Sequence, residues 1–494
     1  MSSTADRTVA PPVGAPAAWE YPASQLLPLA GAGGVRLVDL PGQPVLALEI
    51  VVPMPWVEEP REMEGLSVIL AATLDEGTQE HDAESLARAF ERAGVGLELS
   101  STELGLMVGL ECTPSHLDDA LGLAAELLGR PTFPTEAVQR EVRGRLFDIA
   151  QERATPSVRA MREFATLLHG EDTREGRPGA GSAQTVSAIT AADVRAHHAR
   201  WVRPDGAGVV LAGDLSGLGA PGEAVARVQQ HLIDPWAAAV AGEGAAAGPE
   251  ETVVGAEAAE RSGAVGAAVE AGAGEAEAAQ AGGGAVCEGV RRRIEVDGVE
   301  TVVVHRSGAA QTEVRLGWLG PTRREPGGFH PYAPLAVHVG ASPTSLLDEV
   351  LREEKGWTYG MRAAFRPRHR VGEFLVAGSF TTADTAPAVR ELLRLLRGVP
   401  DGLDARAAAA ARDYTLLTAP MRYATAETLA HEAAVLTLDG VGPEFSARTL
   451  GSLGETSAAE MADQMRAAWQ RWAGGRWVMV LVGDADVWGE ALGA

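Results

Sequence analysis

Two patterns of apolar residues alternate along the chain. Short runs rich in Val, Ile and Leu predict strands, and stretches in which apolar residues return every three or four positions predict amphipathic helices. Strand pairs are expected early in each half of the sequence: 35–40 with 45–51, and 294–305 with 312–318. Residues 104–112 predict a strand followed by a helix over 115–128 that ends near Gly129-Arg130-Pro131. Residues 373–380 and 386–397 repeat that order and end near Gly398-Val399-Pro400. A third unit also occurs twice. Thr190-Ala191-Ala192-Asp193 and Ser457-Ala458-Ala459-Glu460 have the spacing of a helix-capping box. Each is followed by a helix, to Trp201 and to Trp472, and then by a Val-rich strand that closes on Gly213-Asp214 or Gly483-Asp484.

The units recur in the same order, so the fold class expected is α+β: two homologous mixed-sheet halves, each a tandem of α+β units. Between them the composition changes abruptly. Residues 237–288 are nearly all Ala, Gly, Glu and Val and contain the single basic residue Arg261. Such a segment buries too little apolar surface to offset its chain entropy, and it reads as a linker. The expected division is a disordered tail over 1–22, a first domain over 23–236, the linker over 237–288 and a second domain over 289–494.

Charge and cysteine content narrow the function classes. The 494 residues carry 67 acidic against 42 basic side chains, a net charge of -25, which argues against nucleic acid or an anionic membrane as a partner. The two cysteines, Cys112 and Cys287, do not make a disulfide framework. Residues 1–18 have one Arg and no apolar core, so neither a signal peptide nor a membrane span is expected there, and a cytoplasmic location is.

Candidate chemistry is concentrated in two places. The first is 65–78, Gly-Leu-Ser-Val-Ile-Leu-Ala-Ala-Thr-Leu-Asp-Glu-Gly-Thr, preceded by Val57-Glu58-Glu59-Pro60. The second is Leu351-Arg352-Glu353-Glu354-Lys355-Gly356-Trp357-Thr358-Tyr359-Gly360. Ser342 and Pro343 are expected to start the helix that leads into this motif, and Gly356 to close it in a left-handed conformation. Asp348 stands one turn before Arg352, so the competing, purely structural account of Arg352 is a surface ion pair with it. Other groups are weaker. His197-His198 lie about 100° apart on a helix, which is a poor chelating geometry. His431-Glu432 lacks a second imidazole one turn away. No Gly-x-Ser-x-Gly elbow is present, and the Gly-rich runs do not sit between a strand and a helix as a phosphate loop must.

Apart from the linker, the chain from about Val35 onward resembles the pitrilysin/insulinase (M16) family of zinc metallopeptidases, in its bacterial half-clamshell form. In that family the segment matching 65–78 carries His-x-x-Glu-His, two imidazoles one turn apart with a carboxylate that activates water. Here the ligand positions hold Val68 and Ala72, and the general-base position holds Ala71. None of these side chains binds a cation or moves a proton. The segment from Phe133 through Asp148 to Pro156 resembles the long helix that supplies a third, glutamate ligand, and Asp148 stands near that position. A shorter carboxylate without the two imidazoles makes a poor zinc site.

The second motif resembles the family's Leu-Arg-Glu-x-x-Gly-Leu-Ala-Tyr signature, although Leu346 stands where an additional arginine is common. In the family, that arginine and tyrosine reach across a closed chamber to the zinc of the other half. In heterodimeric members one subunit carries the zinc motif and the other the Arg–Tyr pair. The resemblance therefore implies a non-catalytic subunit, inactive alone. Its Arg352 and Tyr359 would support peptide-bond hydrolysis at a zinc-bearing partner, the zinc belonging to that partner and a peptide being the substrate. A guanidinium offers a rigid fork of donors to a peptide carbonyl, and a tyrosine hydroxyl can donate to a developing oxyanion. Two alternatives stay open: an inert scaffold subunit, and a module that binds or sequesters a leader peptide.

Overall fold

In the computed structural model, residues 19–246 and 290–493 are described. They form two six-stranded mixed sheets. The first contains β1 (Ser24–Leu27), β2 (Gly34–Asp39), β3 (Leu46–Pro53), β4 (Gly96–Ser101), β5 (Gly105–Cys112) and β6 (Gly208–Gly213), in the order β1-β2-β6-β3-β5-β4. The second contains β7 (Arg291–Val296), β8 (Val299–His305), β9 (Gln311–Gly320), β10 (Met361–Arg366), β11 (Gly372–Thr381) and β12 (Val478–Gly483). Read from β7 its order is β7-β8-β12-β9-β11-β10, the same permutation. In each sheet the last strand of the half inserts between the second and third. It runs parallel to the second, β2 with β6 and β8 with β12, and every other named pairing is antiparallel.

β6 and β12 read as unbroken apolar runs because they are covered on both faces, and every residue in them is buried. One face of each sheet packs on its own half's helices. Leu48, Ile50 and Leu211 meet Leu121 and Trp236 in the first core, and Leu316 and Trp318 meet Leu392 and Trp469 in the second. The other face is covered by the opposite half. The helix Pro156–His169 lays Ala160, Phe164, Leu167 and Leu168 on Val302, Val480 and Val482 of the second sheet. The helix Ala426–Leu438 lays Leu429, Ala430, Ala433 and Ala434 on Val51, Met107 and Val210 of the first. Each half thus completes the other's core by exchanging one helix.

The structure differs from the sequence expectations at four points. The strands expected to pair, 35–40 with 45–51 and 294–305 with 312–318, are separated by the inserted β6 and β12. Residues 294–305 form a hairpin, not one strand: Asp297 (φ 49°) and Gly298 (φ 80°) make the left-handed turn between β7 and β8, an Asp-Gly pair suited to two-residue hairpins. The helix Asp234–Ala246 continues past the linker boundary expected at 237, and residues 247–288 lie outside the described ones. Trp19 and Tyr21, placed in the tail by sequence, pack on Tyr423, with the Trp19 and Tyr423 ring centroids 5.9 Å apart. The Tyr21 and Tyr423 hydroxyls both donate to Glu432. Among the described residues no helix is long and apolar enough to cross a membrane.

Candidate functional site

The helix Leu66–Thr73 sits between β3 and β4 and presents one side to its core through Leu66, Ile69, Leu70 and Thr73. Its N-terminus is held from inside. Glu59, a buried carboxylate, accepts the backbone N–H groups of Gly65 (3.2 Å) and Ser67 (2.7 Å) and pairs with Arg174 at 3.0 Å. A carboxylate is stabilised there by the unpaired N–H groups and by the helix dipole. Glu64 forms a second pair, with Arg177 at 2.7 Å. The Ser67 hydroxyl meets His197 Nε2 at 3.0 Å. The helix is therefore fixed by buried charged and polar groups. Of the positions singled out in the sequence, Ala71 is buried, Val68 half-buried and Ala72 exposed, and the latter two share one face at i, i+4 spacing. Asp148 lies exposed on the helix Thr135–Ala154, beside the exposed Phe147. With no lone pair at 68, 71 or 72, this donor set does not fit zinc.

The second half builds the opposite kind of site at the matching place, between β9 and β10. Arg352 lies in the last turn of the helical segment Asp348–Glu354, whose hydrogen bonds are widened to the i→i+5 pattern. Such widened turns are frequent at functional sites. The helix closes on Gly356 at φ 66°, as its sequence predicts. Ser342, in contrast, does not cap it, because its hydroxyl donates to Val337 O at the end of the preceding helix. The competing Asp348–Arg352 surface pair is also absent. Asp348 is fully buried and bonds to Met361 N (2.8 Å) and Arg362 Nη1 (2.9 Å), while Arg352 Nε rests 3.4 Å from Glu353. Tyr359 is 85% exposed, and among the described residues it makes no hydrogen bond or ring contact. Arg352 and Tyr359 thus border one loop, both open to solvent.

Other titratable groups prove structural. His197 and His198 are buried, and burial pushes each down to about 4; for His197, Arg200 and His198 act in the same direction. His198 Nε2 meets Leu128 O at 2.9 Å, so the two rings point to different partners. His431 Nδ1 lies 3.4 Å from Glu49 Oε1, and Glu432 gathers the hydroxyls of Tyr21, Tyr423 and Ser446. One cluster was not legible in local spacing: His305, Asp484 and Asp486 converge at the end of β12. His305 Nδ1 there accepts the Ala485 N–H at 3.2 Å, which accounts for its placement as a helix cap.

A further feature was visible in the composition but missed by motif reading. The chain contains one lysine, Lys355, against 41 arginines. It lies in the exposed loop between Arg352 and Tyr359, with its ammonium 6.0 Å from the centre of the Trp357 ring.

Comparison with known proteins supports the architecture. No protein-family model matches the chain. Its fold is that of a peptidase M16 inactive domain from Pseudomonas fluorescens, with a TM-score of 0.73 at 18% identity over 93% of this chain and 98% of that one. A protease from Helicobacter pylori has a similar structure, with a TM-score of 0.70 at 14% identity over 94% of this chain and 100% of that one. In sequence, 151 residues are 25% identical to the non-peptidase homolog YmxG of Helicobacter pylori, covering 31% of this chain and 35% of the relative. The matched stretch thus spans about a third of that curated relative's length. The fold expected from sequence, a pair of mixed-sheet α+β halves of the M16 type, is the one observed.

Proposed function

We propose that this chain is the non-catalytic member of a two-subunit peptidase of the M16 type. It would place Arg352 and Tyr359 beside a peptide bond held at the zinc of a partner chain. The observation that carries the reading is the asymmetry between the two halves. Where one presents Val68 and Ala72 without a lone pair, the other presents two exposed hydrogen-bond donors at the ends of one loop. The partner's zinc would supply the attacking water. The residues of this chain would bind and orient the carbonyl: Arg352 by charge-assisted hydrogen bonds, and Tyr359 by donating to the oxygen as negative charge develops on it. The fold likeness to an M16 inactive domain and the match to a non-peptidase homolog support the absence of self-sufficient chemistry.

The test is co-expression with an adjacent open reading frame that encodes a His-x-x-Glu-His relative, followed by a peptide-cleavage assay. Arg352→Ala or Tyr359→Phe is expected to lower kcat by about 10²–10³-fold, the loss typical of one oxyanion donor, while assembly and zinc content stay unchanged. Lys355 provides a geometric check, because an amine-directed cross-link from a side chain of this subunit can originate only there. Normal cleavage by the variant pairs would leave the chain an inert scaffold or a peptide-binding module.

A further inference from the structure

The loop between Arg352 and Tyr359 is held from beneath by one side chain. Asp348 is fully buried. It lies one turn before Arg352 in the same helical segment, and Met361, whose N–H it accepts at 2.8 Å, lies two residues after Tyr359. Its second oxygen accepts from Arg362 Nη1 at 2.9 Å. One carboxylate therefore ties the helix that carries Arg352 to the strand that starts beyond Tyr359.

The surrounding backbone is built against that tie. Gly360 has φ 156°, and a Cβ there would lie 3.3 Å from Arg362 Nη1 and 3.6 Å from Asp348 Oδ1. On the neighbouring strand, a Cβ on Gly378 would lie 2.8 Å from Gly360 O. Thr358 Oγ1 accepts the Gly360 N–H at 3.0 Å, and Thr381 N donates to Trp357 O at 3.0 Å. The segment on either side of Tyr359 is thus anchored, and its side chain alone is left outside.

We propose that Asp348 is a positioning residue that sets the spacing of Arg352 and Tyr359 as a peptide meets them. The inference rests on the reading that both touch substrate. Displacing a contact group by about 1 Å can cost on the order of a hundredfold in rate, so a buried tie at this place acts on turnover without meeting the peptide. A carboxylate suits the role because it accepts from a backbone N–H and from a guanidinium at once, with charge strengthening both bonds.

The test uses the full chain carrying Asp348→Ala, Asp348→Asn or Arg362→Met. Arg362 is largely exposed, so its variant retains the fold. Amide hydrogen exchange over 357–362 is read on the chain alone. Cleavage kinetics are read on the reconstituted pair, with and without Tyr359→Phe. Asp348→Ala is expected to speed exchange of the Gly360 and Met361 amides, the two beside Tyr359 that donate hydrogen bonds, about tenfold or more. It is also expected to lower kcat about tenfold with little change in KM, and to lower it less than about threefold once Tyr359 is already Phe, because the two act through one contact. Asp348→Asn and Arg362→Met should give smaller changes in the same direction. Unchanged exchange in the folded Asp348 variants overturns the proposal, as does a kcat loss that persists undiminished in the Tyr359→Phe background. If Arg352→Ala and Tyr359→Phe themselves leave cleavage intact, the reading of the site fails instead, and the exchange data still judge the tie on their own.

Discussion

The two halves thread six strands in the same order, yet the segments between their third and fourth strands have diverged in opposite directions. In the first half the helix Leu66–Thr73 is held by the Glu59 carboxylate at its N-terminus, and half-buried Val68 and exposed Ala72 leave its i, i+4 face aliphatic. In the second half the outward positions are Arg352, Lys355 and Tyr359, and the inward one is the buried Asp348. Buried polar groups such as Glu59 and Asp348 keep a helix in place whatever it carries, because leaving their partners unsatisfied is costly. Outward side chains are free of that constraint. The same place in the fold can therefore keep its shape while the side chains it displays differ.

The largest effect expected from breaking this comparison lies in the exchanged helices. Phe164, from the first half, is fully buried beneath the second sheet, and Gly317 leaves room for its ring: a Cβ there would lie 3.0 Å from Phe164 Cζ. Phe164→Ala is expected to cost about 3–5 kcal/mol in denaturant unfolding. Probes in both halves should report one transition, since each sheet relies on the other half's helix; two well-separated transitions would show that the halves are independent.

A smaller effect distinguishes the halves by pH. His197 and His198 titrate at about 4 in the folded chain against about 6.5 unfolded. Well above pH 6.5 both are neutral in either state and their burial carries no protonation penalty. As pH falls toward 4 the unfolded chain takes up protons that the folded chain refuses, so stability is lost. The linkage amounts to about 2 kcal/mol per residue at pH 5. Because buried Glu103, pushed up to about 7, acts in the opposite direction over this range, the check is a difference: urea unfolding at pH 7 and pH 5 should show His197→Gln losing about 2 kcal/mol less on acidification than the parent chain. Hydrogen exchange at pH 5 should open the helix Ala191–Trp201 ahead of the second half's core.

The smallest effect would sharpen the contrast at the degenerate helix itself. Ala72 is exposed and Val68 half-buried, so Val68→His with Ala72→His should cost about 1 kcal/mol, the centre of the range for point substitutions. The double variant should bind zinc measurably in calorimetry where the parent chain does not, since two imidazoles at i, i+4 can share an ion. A large loss of stability would mean that these positions are part of the core.

Much of this organisation is legible from the residues in order. The Val-rich runs that became β6 and β12 and the caps at Thr190 and Ser457 follow from local chemistry, and so does the left-handed Gly356. That Val68, Ala71 and Ala72 bind no metal needs no coordinates, because an aliphatic side chain offers no donor atom wherever it lies. The hairpin at Asp297-Gly298 was also written locally, although it sat inside a stretch that reads as one strand.

What tertiary structure alone decided are the choices among partners far apart in sequence. Asp348 had two arginines in reach along the chain, Arg352 and Arg362, and burial selected Arg362 together with the Met361 N–H. Phe164 and Leu429 each read as the apolar face of an amphipathic helix; nothing local says that each packs on the opposite half's sheet. Periodicity records that a face must be buried, because the hydrophobic effect has no direction, whereas the surface that buries it is set by the shape of the assembled sheets.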